Sequence, residues 1–117
     1  VGLVYVDARV VGPRGAREVR LLVDTGAVYT VLKREVWEAI GLEARRVEEF
    51  VLADGSVVRR AVGEAYIVIP GVGEGHSPVV LGESEDENLL GVVTLEIMGY
   101  LVDPFTRRLR KMRMLLK

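Results

Sequence analysis

Short apolar runs alternate with charged and turn-forming residues along the whole chain, and most runs have the length of a β-strand. Residues 3–11 and 17–23 flank a Gly-Pro-Arg-Gly turn, which predicts a hairpin because Pro fixes one backbone dihedral angle and Gly permits positive φ. An Asp-Gly pair between the apolar runs 50–52 and 57–60 predicts a second hairpin. Further strands are predicted at residues 65–69 and 79–81, and a last hairpin pairs residues 100–102 with residues 109–116.

Two segments show helical spacing instead. Leu32, Val36 and Ile40 recur at the period of a helix, which predicts a helix over residues 33–42 with Gly41 at its C-terminal end. A second short helix is predicted over residues 92–98. Seven to nine short strands, two short helices and no alternating βαβ pattern indicate one mostly antiparallel β domain, residues 1–117, whose sheet closes or folds over.

The composition is that of an ordinary globular domain, since 50% of the 117 residues are hydrophobic and 28% are charged. No apolar run approaches the roughly 18 residues that a membrane span needs. The chain has no cysteine, which excludes disulfides and thiolate chemistry. Its single histidine, His76, lies in a Gly-rich segment that predicts an exposed loop. We therefore expect no metal, no cofactor, no membrane partner and a cytoplasmic protein.

Charge is unevenly distributed along the chain although the net charge is only −1. Residues 83–87 are acidic and residues 107–117 are basic. The near-zero net charge argues against a protein that mainly coats nucleic acid, and solvated charges that block aggregation explain the basic tail better than a nucleic-acid patch does. We expect no nucleic-acid partner. The chain has no Gln and a single Asn, Asn88, and this scarcity of thermolabile amides hints at a thermophilic source.

The most informative motif is Asp24-Thr25-Gly26-Ala27, which directly follows the apolar run of residues 19–23. A strand that delivers a carboxylate into a tight Gly turn is the way in which aspartic peptidases present their catalytic acid. Their chemistry needs two carboxylates that share a proton and activate a water molecule. The chain carries one such motif, so a two-fold dimer would have to supply the second carboxylate. The alternative is an Asp that only caps its own turn.

The motif and its surroundings resemble the retropepsin-like aspartic peptidases, over about residues 19–102. Leu89-Leu90-Gly91 is similar to the second signature of that family, two hydrophobic residues and a glycine before a helix. Residues 53–56 lie where the family carries the tip of its flap, although an ordinary exposed hairpin is the alternative there. The resemblance implies a retropepsin-like closed antiparallel β barrel with one or two short helices, forming a two-fold dimer.

The resemblance also implies roles for individual residues. Asp24 is the catalytic acid and base, Thr25 bonds across the dimer axis, and Gly26 lets the backbone approach its partner and the substrate. The residues implied in binding an extended peptide are Ala27, Ala53, Asp54, Gly55 and Ser56. Trp37 is interpreted as a filler of the core or of an interface, and the position of Tyr29 near the Asp24 turn leaves a role in lining the pocket open.

Two departures from the family pattern stand out. Asp54 lies at the predicted flap tip, which is Gly-rich in retroviral members. Val92 and Val93 replace a polar pair that braces the dimer there, so residues 109–116 are expected to brace it here. The function expected is a homodimeric aspartic endopeptidase that cleaves peptides or unfolded protein. The alternative is a catalytically silent module of the same fold that binds peptides or dimerises.

Overall fold

The predicted hairpin at the start of the chain is present, as β1 (Tyr5–Gly12) and β2 (Gly15–Val23). The computed structural model describes residues 4–113 and residue 116, so Leu3, at the start of the predicted first strand, lies outside the described residues. The register pairs Gly12 with Gly15 across the turn. Gly15 has a φ of 143°, a value that favours glycine.

The main sheet closes on itself as a barrel. Its other strands are β3 (Thr30–Leu32), β4 (Arg46–Val51), β5 (Val57–Ile69), β6 (Gly73–Leu81) and β7 (Leu89–Leu90). The hydrogen-bonded order is β1-β2-β7-β3-β6-β5-β4, and an additional pairing of β1 with β5 closes six of these strands, leaving β4 on the outside of β5. The pairings are mostly antiparallel, but β2 with β7 and β3 with β6 are parallel. The predicted mostly β, closed barrel is therefore confirmed.

Two short helices, α1 (Arg34–Ala39) and α2 (Val92–Ile97), are shorter than the segments predicted for them. Gly41 follows α1 with a φ of 77°, as the predicted C-terminal cap requires. The amide of Leu42 donates to the carbonyl of Trp37 at 2.9 Å, and that of Gly41 donates to the carbonyl of Glu38 at 3.1 Å. These two bonds form a Schellman motif, and Leu42 is buried against the core.

The prediction of two separate strands at residues 57–60 and 65–69 is wrong, because β5 runs unbroken through both. Gly63, between the two predicted segments, allows a close approach of neighbouring backbone. A Cβ atom at this position would lie 2.8 Å from the carbonyl oxygen of Glu43. The glycine is required by space within a strand.

The exposed loop predicted around His76 is also corrected. Residues from Gly73 onward belong to β6, and His76 pairs with Tyr66 of β5 while its side chain remains exposed. The glycines of this segment have a packing role, because a Cβ atom on Gly75 would lie 3.3 Å from the side chain of Ile97 in α2. Composition indicated a loop here because close helix packing on a strand also selects glycine.

The predicted last hairpin forms between β8 (Tyr100–Val102) and β9 (Leu109–Lys111). It makes a separate two-stranded sheet. Met114 and Leu115, in the segment of residues 109–116 expected to brace a dimer, lie outside the described residues.

The core fills the interior of the barrel. Its largest fully buried apolar side chains are Leu21, Leu32, Ile40, Ile67 and Leu90. Trp37 packs against this core, as interpreted from the sequence, and its indole Nε1 donates to the carbonyl of Gly82 at 2.8 Å. Leu21 belongs to β2, which leads into the Asp24 motif, and Leu90 belongs to β7, which follows the acidic loop. The core therefore anchors both strands that lie next to the site.

Candidate active site

Asp24 begins a tight turn at the end of β2, and we call residues 24–27 the Asp24 turn. Its amide donates to the carbonyl of Leu90 at 3.2 Å, and the amide of Ala27 donates to the carbonyl of Asp24 at 3.1 Å. The amide of Gly26 donates to Asp24 Oδ1 at 2.9 Å. The side chain of Asp24 is half-buried. Asp24 Oδ2 receives no hydrogen bond from any residue that the structure describes, so one oxygen is held by the turn and the other is available.

The hydrogen bond from Gly26 to Asp24 Oδ1 fits both interpretations of the motif. A turn-forming Asp makes this bond to the residue two positions on, and a carboxylate held in position for chemistry makes it as well. The surroundings of the turn must therefore distinguish the two.

The N-terminus of α2 supports the Asp24 turn from behind. The amide of Val92 donates to the carbonyl of Ala27, and the amide of Val93 donates to the carbonyl of Val28, each at 3.0 Å. Amides in the first turn of a helix have no partner within the helix, and here they bind two successive carbonyls at the end of the turn. An ordinary surface turn needs no such support.

Gly91 makes this close approach possible. A Cβ atom on Gly91 would lie 2.3 Å from the carbonyl carbon of Tyr29 and 2.6 Å from the amide nitrogen of Thr30. Its φ of −92° is open to any residue, so space and not backbone conformation demands glycine. The second signature, Leu89-Leu90-Gly91, thus lies directly against the chain that follows the first.

The Asp24 turn separates two cavities. The Thr25 cavity, of about 440 Å³, is lined among others by Val23, Thr25, Val102 and Leu109. The Tyr29 cavity, of about 470 Å³, includes Ala27 of the turn in its wall. Residues from the turn, β4, β5, β6 and the acidic loop line the Tyr29 cavity; examples are Gly26, Tyr29, Phe50, Leu52, Val80 and Glu87. Thr25 and Ala27 therefore face different spaces on either side of one short turn.

Tyr29 is fixed in the wall of its cavity by two side chains of β4. Its ring meets that of Phe50 edge to face, with 5.9 Å between centroids. Arg46 Nη2 donates to the hydroxyl of Tyr29 at 3.1 Å, and its guanidinium carbon lies 5.8 Å from the Tyr29 ring centroid. Arg46 donates hydrogen bonds to Glu48 and to Tyr29, and these bonds raise the pKa of Arg46 above its ordinary value, with the larger effect from Glu48. The pocket-lining role that the sequence left open for Tyr29 is therefore present in the structure.

The predicted flap hairpin joins β4 to β5. The amide of Leu52 donates to the carbonyl of Ser56 at 2.8 Å, and Gly55 has a φ of 87°. Asp54 Oδ1 accepts from the hydroxyl of Ser56 at 2.6 Å and from its amide at 2.9 Å. These bonds hold the pKa of Asp54 below its ordinary value, and the bond from the Ser56 hydroxyl has the larger effect. Asp54 thus shapes the tip of its own hairpin.

The structure separates the residues that the sequence assigned to substrate binding. Gly26 and Ala27 line the Tyr29 cavity, whereas Ala53, Asp54, Gly55 and Ser56 are exposed at the hairpin tip and do not line it. Leu52, at the base of that tip, does line it. The sequence did not predict that the cavity is also lined by Phe50, Leu52 and Val80, because the alternation of side chains along a strand does not say which face meets the turn. The apolar run at residues 50–52 was the available signal.

Among residues 4–113 and 116, no group of three His, Asp or Glu side chains is placed to hold a metal ion. No helix in that part of the chain is both long and apolar enough to cross a membrane.

A protein-family model described as "Aspartyl protease" matches residues 6–94 of this chain. The match covers both signatures, the hairpin between them and most of the barrel. A comparison with curated proteins finds no match.

Proposed function

Because this chain belongs to the retropepsin-like aspartyl protease family, we propose that it is a homodimeric aspartic endopeptidase whose active site forms between two copies of Asp24. The observation that carries this proposal is the half-buried Asp24 carboxylate, held through one oxygen and supported from behind by α2. The chain has a single Asp-Thr-Gly motif. A two-fold axis beside Asp24 would supply the second carboxylate from an identical chain.

Two carboxylates placed close together cannot both ionise easily, so they share one proton and titrate as a pair. The ionised member accepts a proton from a water molecule, and that water attacks the carbonyl carbon of the scissile peptide bond. The protonated member donates a hydrogen bond to the carbonyl oxygen. The tetrahedral species then breaks its C–N bond, and the proton taken from the water is passed to the leaving amine nitrogen. No covalent intermediate and no cofactor is needed. We expect activity to be highest at acidic to mildly acidic pH.

The face that holds Thr25 suits the dimer contact. Thr25 is exposed although it follows the half-buried Asp24 directly. The Thr25 cavity beside it is lined by apolar Val23, Val102 and Leu109 and also by charged Asp103 and Arg107. A second copy would cover the apolar part of this wall. We propose that Thr25 makes contacts across the axis and that the β8–β9 hairpin takes the bracing role expected of residues 109–116.

The Tyr29 cavity suits the side chains of an extended peptide. It runs from the Asp24 turn to the base of the flap hairpin, where Val51, Leu52 and Val57 are exposed by 73%, 47% and 57%. Large exposed apolar side chains next to a cavity mark a binding surface. Among the strands that the structure describes, the outer strand β4 pairs only with β5. A bound peptide would cover the apolar surface beside this hairpin. The substrate is therefore proposed to be unfolded protein with apolar residues beside the cleaved bond.

Replacing Asp24 with Asn tests the proposal. The Asp24→Asn variant keeps the Gly26 hydrogen bond, because the amide oxygen is still an acceptor, so fold and dimer should persist. Cleavage of an unfolded protein should fall on the order of 10³-fold or more, since both carboxylates of the dimer are lost. Asp7→Asn is the matched control, because Asp7 is an exposed carboxylate of β1 that pairs with Arg20, and this variant should still cleave. Equal cleavage by Asp24→Asn and the wild type would overturn the proposal.

A catalytically silent module is the second candidate, favoured by the fact that the Gly26 bond also suits a purely structural Asp. That candidate predicts that the wild type binds unfolded peptide and never cleaves it at any acidic pH. Peptide binding measured alongside cleavage separates the two.

A further inference from the structure

Three buried hydroxyls form a connected group behind the Asp24 turn. Thr30 of β3, Ser77 of β6 and Thr94 of α2 are 0%, 1% and 0% exposed, and they are the buried polar side chains within the described residues. Thr30 Oγ1 lies 2.6 Å from Thr94 Oγ1, and Ser77 Oγ lies 2.7 Å from Thr94 Oγ1. Buried hydroxyls cost free energy unless they are hydrogen-bonded, so their clustering in an apolar core calls for an explanation.

The two ends of the group fix the direction of every hydrogen bond in it. The amide of Gly91 can only donate, and it does so to Thr30 Oγ1 at 3.1 Å. The carbonyl of Pro78 can only accept, and Ser77 Oγ donates to it at 3.1 Å. The hydroxyl of Thr30 therefore donates to Thr94, and that of Thr94 donates to Ser77. Each hydroxyl donates once and accepts once, so a single proton arrangement satisfies the whole group.

The group is joined directly to the support of Asp24. Gly91 is the residue before α2, and the next amides, those of Val92 and Val93, bind the carbonyls at the end of the Asp24 turn. The residue before Gly91 is Leu90, whose carbonyl accepts the amide of Asp24 at 3.2 Å. A shift of the start of α2 therefore moves every backbone bond that holds the turn from behind.

We propose that Thr94 is a positioning residue for the reaction at Asp24. Its hydroxyl ties α2 to both β3 and β6, and this fixes the depth at which the helix N-terminus holds the turn. The inference rests on the proposed function for its kinetic consequence, but its structural part stands on the hydrogen bonds alone. Without the Thr94 hydroxyl, Thr30 has no acceptor and Ser77 loses its donor, and α2 is held by apolar contacts that do not fix its position as closely.

The test compares Thr94→Val, which keeps the shape and removes the hydroxyl, with Thr94→Ser, which keeps the hydroxyl. Misplacement of a reacting group by about 1 Å can cost on the order of 10²-fold in rate, so we expect kcat of Thr94→Val to fall about tenfold or more with KM nearly unchanged. Thr94→Ser should recover most of that loss. Val10→Ala serves as a destabilised control that should keep its kcat, because Val10 is a core residue of β1 and does not belong to the cluster of three buried hydroxyls.

Amide hydrogen exchange gives a readout that needs no activity. In Thr94→Val the amides of Gly91 and Asp24 should exchange faster than in the wild type by about tenfold or more, while that of Leu21 is unchanged. Thr94→Ser should protect both amides. If the wild type cleaves nothing, the proposed function fails and the exchange result still decides the positioning role.

Three outcomes overturn the inference: wild-type kcat together with wild-type exchange in Thr94→Val, an equal loss of kcat in Val10→Ala, or no recovery in Thr94→Ser. If Thr94→Val fails to fold, Ser77→Ala replaces it, because this change removes the acceptor of the Thr94 proton at the far end of the group. Faster exchange at Gly91 and a lower kcat in that variant support the role. Unchanged values for both contradict it.

Discussion

Replacing Gly91 with Ala would force α2 away from the chain that follows the Asp24 turn. The added Cβ atom would lie 2.3 Å from the carbonyl carbon of Tyr29, whereas ordinary contacts begin at 3.4 Å, so the two backbones must separate on the order of 1 Å. Both neighbours are backbone atoms, and neither can rotate away as a side chain would. Overpacking of this kind costs about 1–3 kcal/mol in free energy of unfolding. The same displacement should lower kcat on the order of 10²-fold.

Urea unfolding at one fixed protein concentration measures the stability change, because dimer stability depends on concentration, and cleavage of an unfolded protein measures kcat. Gly75→Ala is the matched control. Its Cβ atom would lie 3.3 Å from a methyl group of Ile97, which can adjust, so stability should fall by less than about 1 kcal/mol. If Gly91→Ala had the same stability and kcat as Gly75→Ala, this would refute the reasoning that the close approach of the two backbones requires glycine at position 91.

Two further predictions concern side chains around the proposed substrate site. Ser56→Ala removes the larger cause of the lowered pKa of Asp54, so the pKa should rise toward the ordinary value of about 3.9 in a carboxyl NMR titration; an unchanged value would contradict this assignment. Because the folded-state pKa is the lower one, the bond stabilises the fold above pH about 3.9 and this contribution is lost as pH falls through the lowered pKa. Arg46→Met removes the donor that fixes Tyr29, and because this contact is exposed to solvent, KM should rise only roughly two- to fivefold with kcat nearly unchanged. A fall in kcat alone would place Tyr29 in the reaction instead of in the binding wall.

Local signals in the sequence predicted the parts of the fold that depend on neighbouring residues. The Gly-Pro-Arg-Gly turn predicted the β1–β2 hairpin, and Gly41 predicted the end of α1, because each needs a backbone conformation that few other residues adopt. The Asp24 turn and Leu89-Leu90-Gly91 were recognised from the order of residues within short segments. For these features the chemistry lies within a few residues of chain.

Long-range contacts decided the features that the sequence did not predict. The Gly-rich segment around Gly75 predicted a loop, and a break was expected near Gly63. Both glycines instead lie within strands, at points where Ile97 and Glu43 approach. Nothing local distinguishes a glycine that bends the chain from one that makes room for another element. A closed sheet was predicted, but which strands pair to close it, β1 with β5, depends in the same way on residues far apart along the chain.

The candidate site shows the same division. The Asp24 turn was predicted from the sequence, whereas the hydrogen-bonded cluster of the Thr30, Ser77 and Thr94 hydroxyls was not. These three residues come from three elements and are separated by 64 and 17 positions in their two hydroxyl contacts. A threonine in a strand or helix has many ordinary roles, so only the folded arrangement shows that these side chains meet.

Mixing wild-type chains with Asp24→Asn chains tests the central claim most directly, namely that two copies of Asp24 form one active site. Chains are unfolded together and refolded at a constant total concentration at which the protein is dimeric. If each site needs both carboxylates, activity follows the square of the wild-type fraction, and an equal mixture keeps about a quarter of the wild-type activity. Activity that falls in simple proportion, with about half remaining in the equal mixture, would show that each chain works alone and would contradict the account.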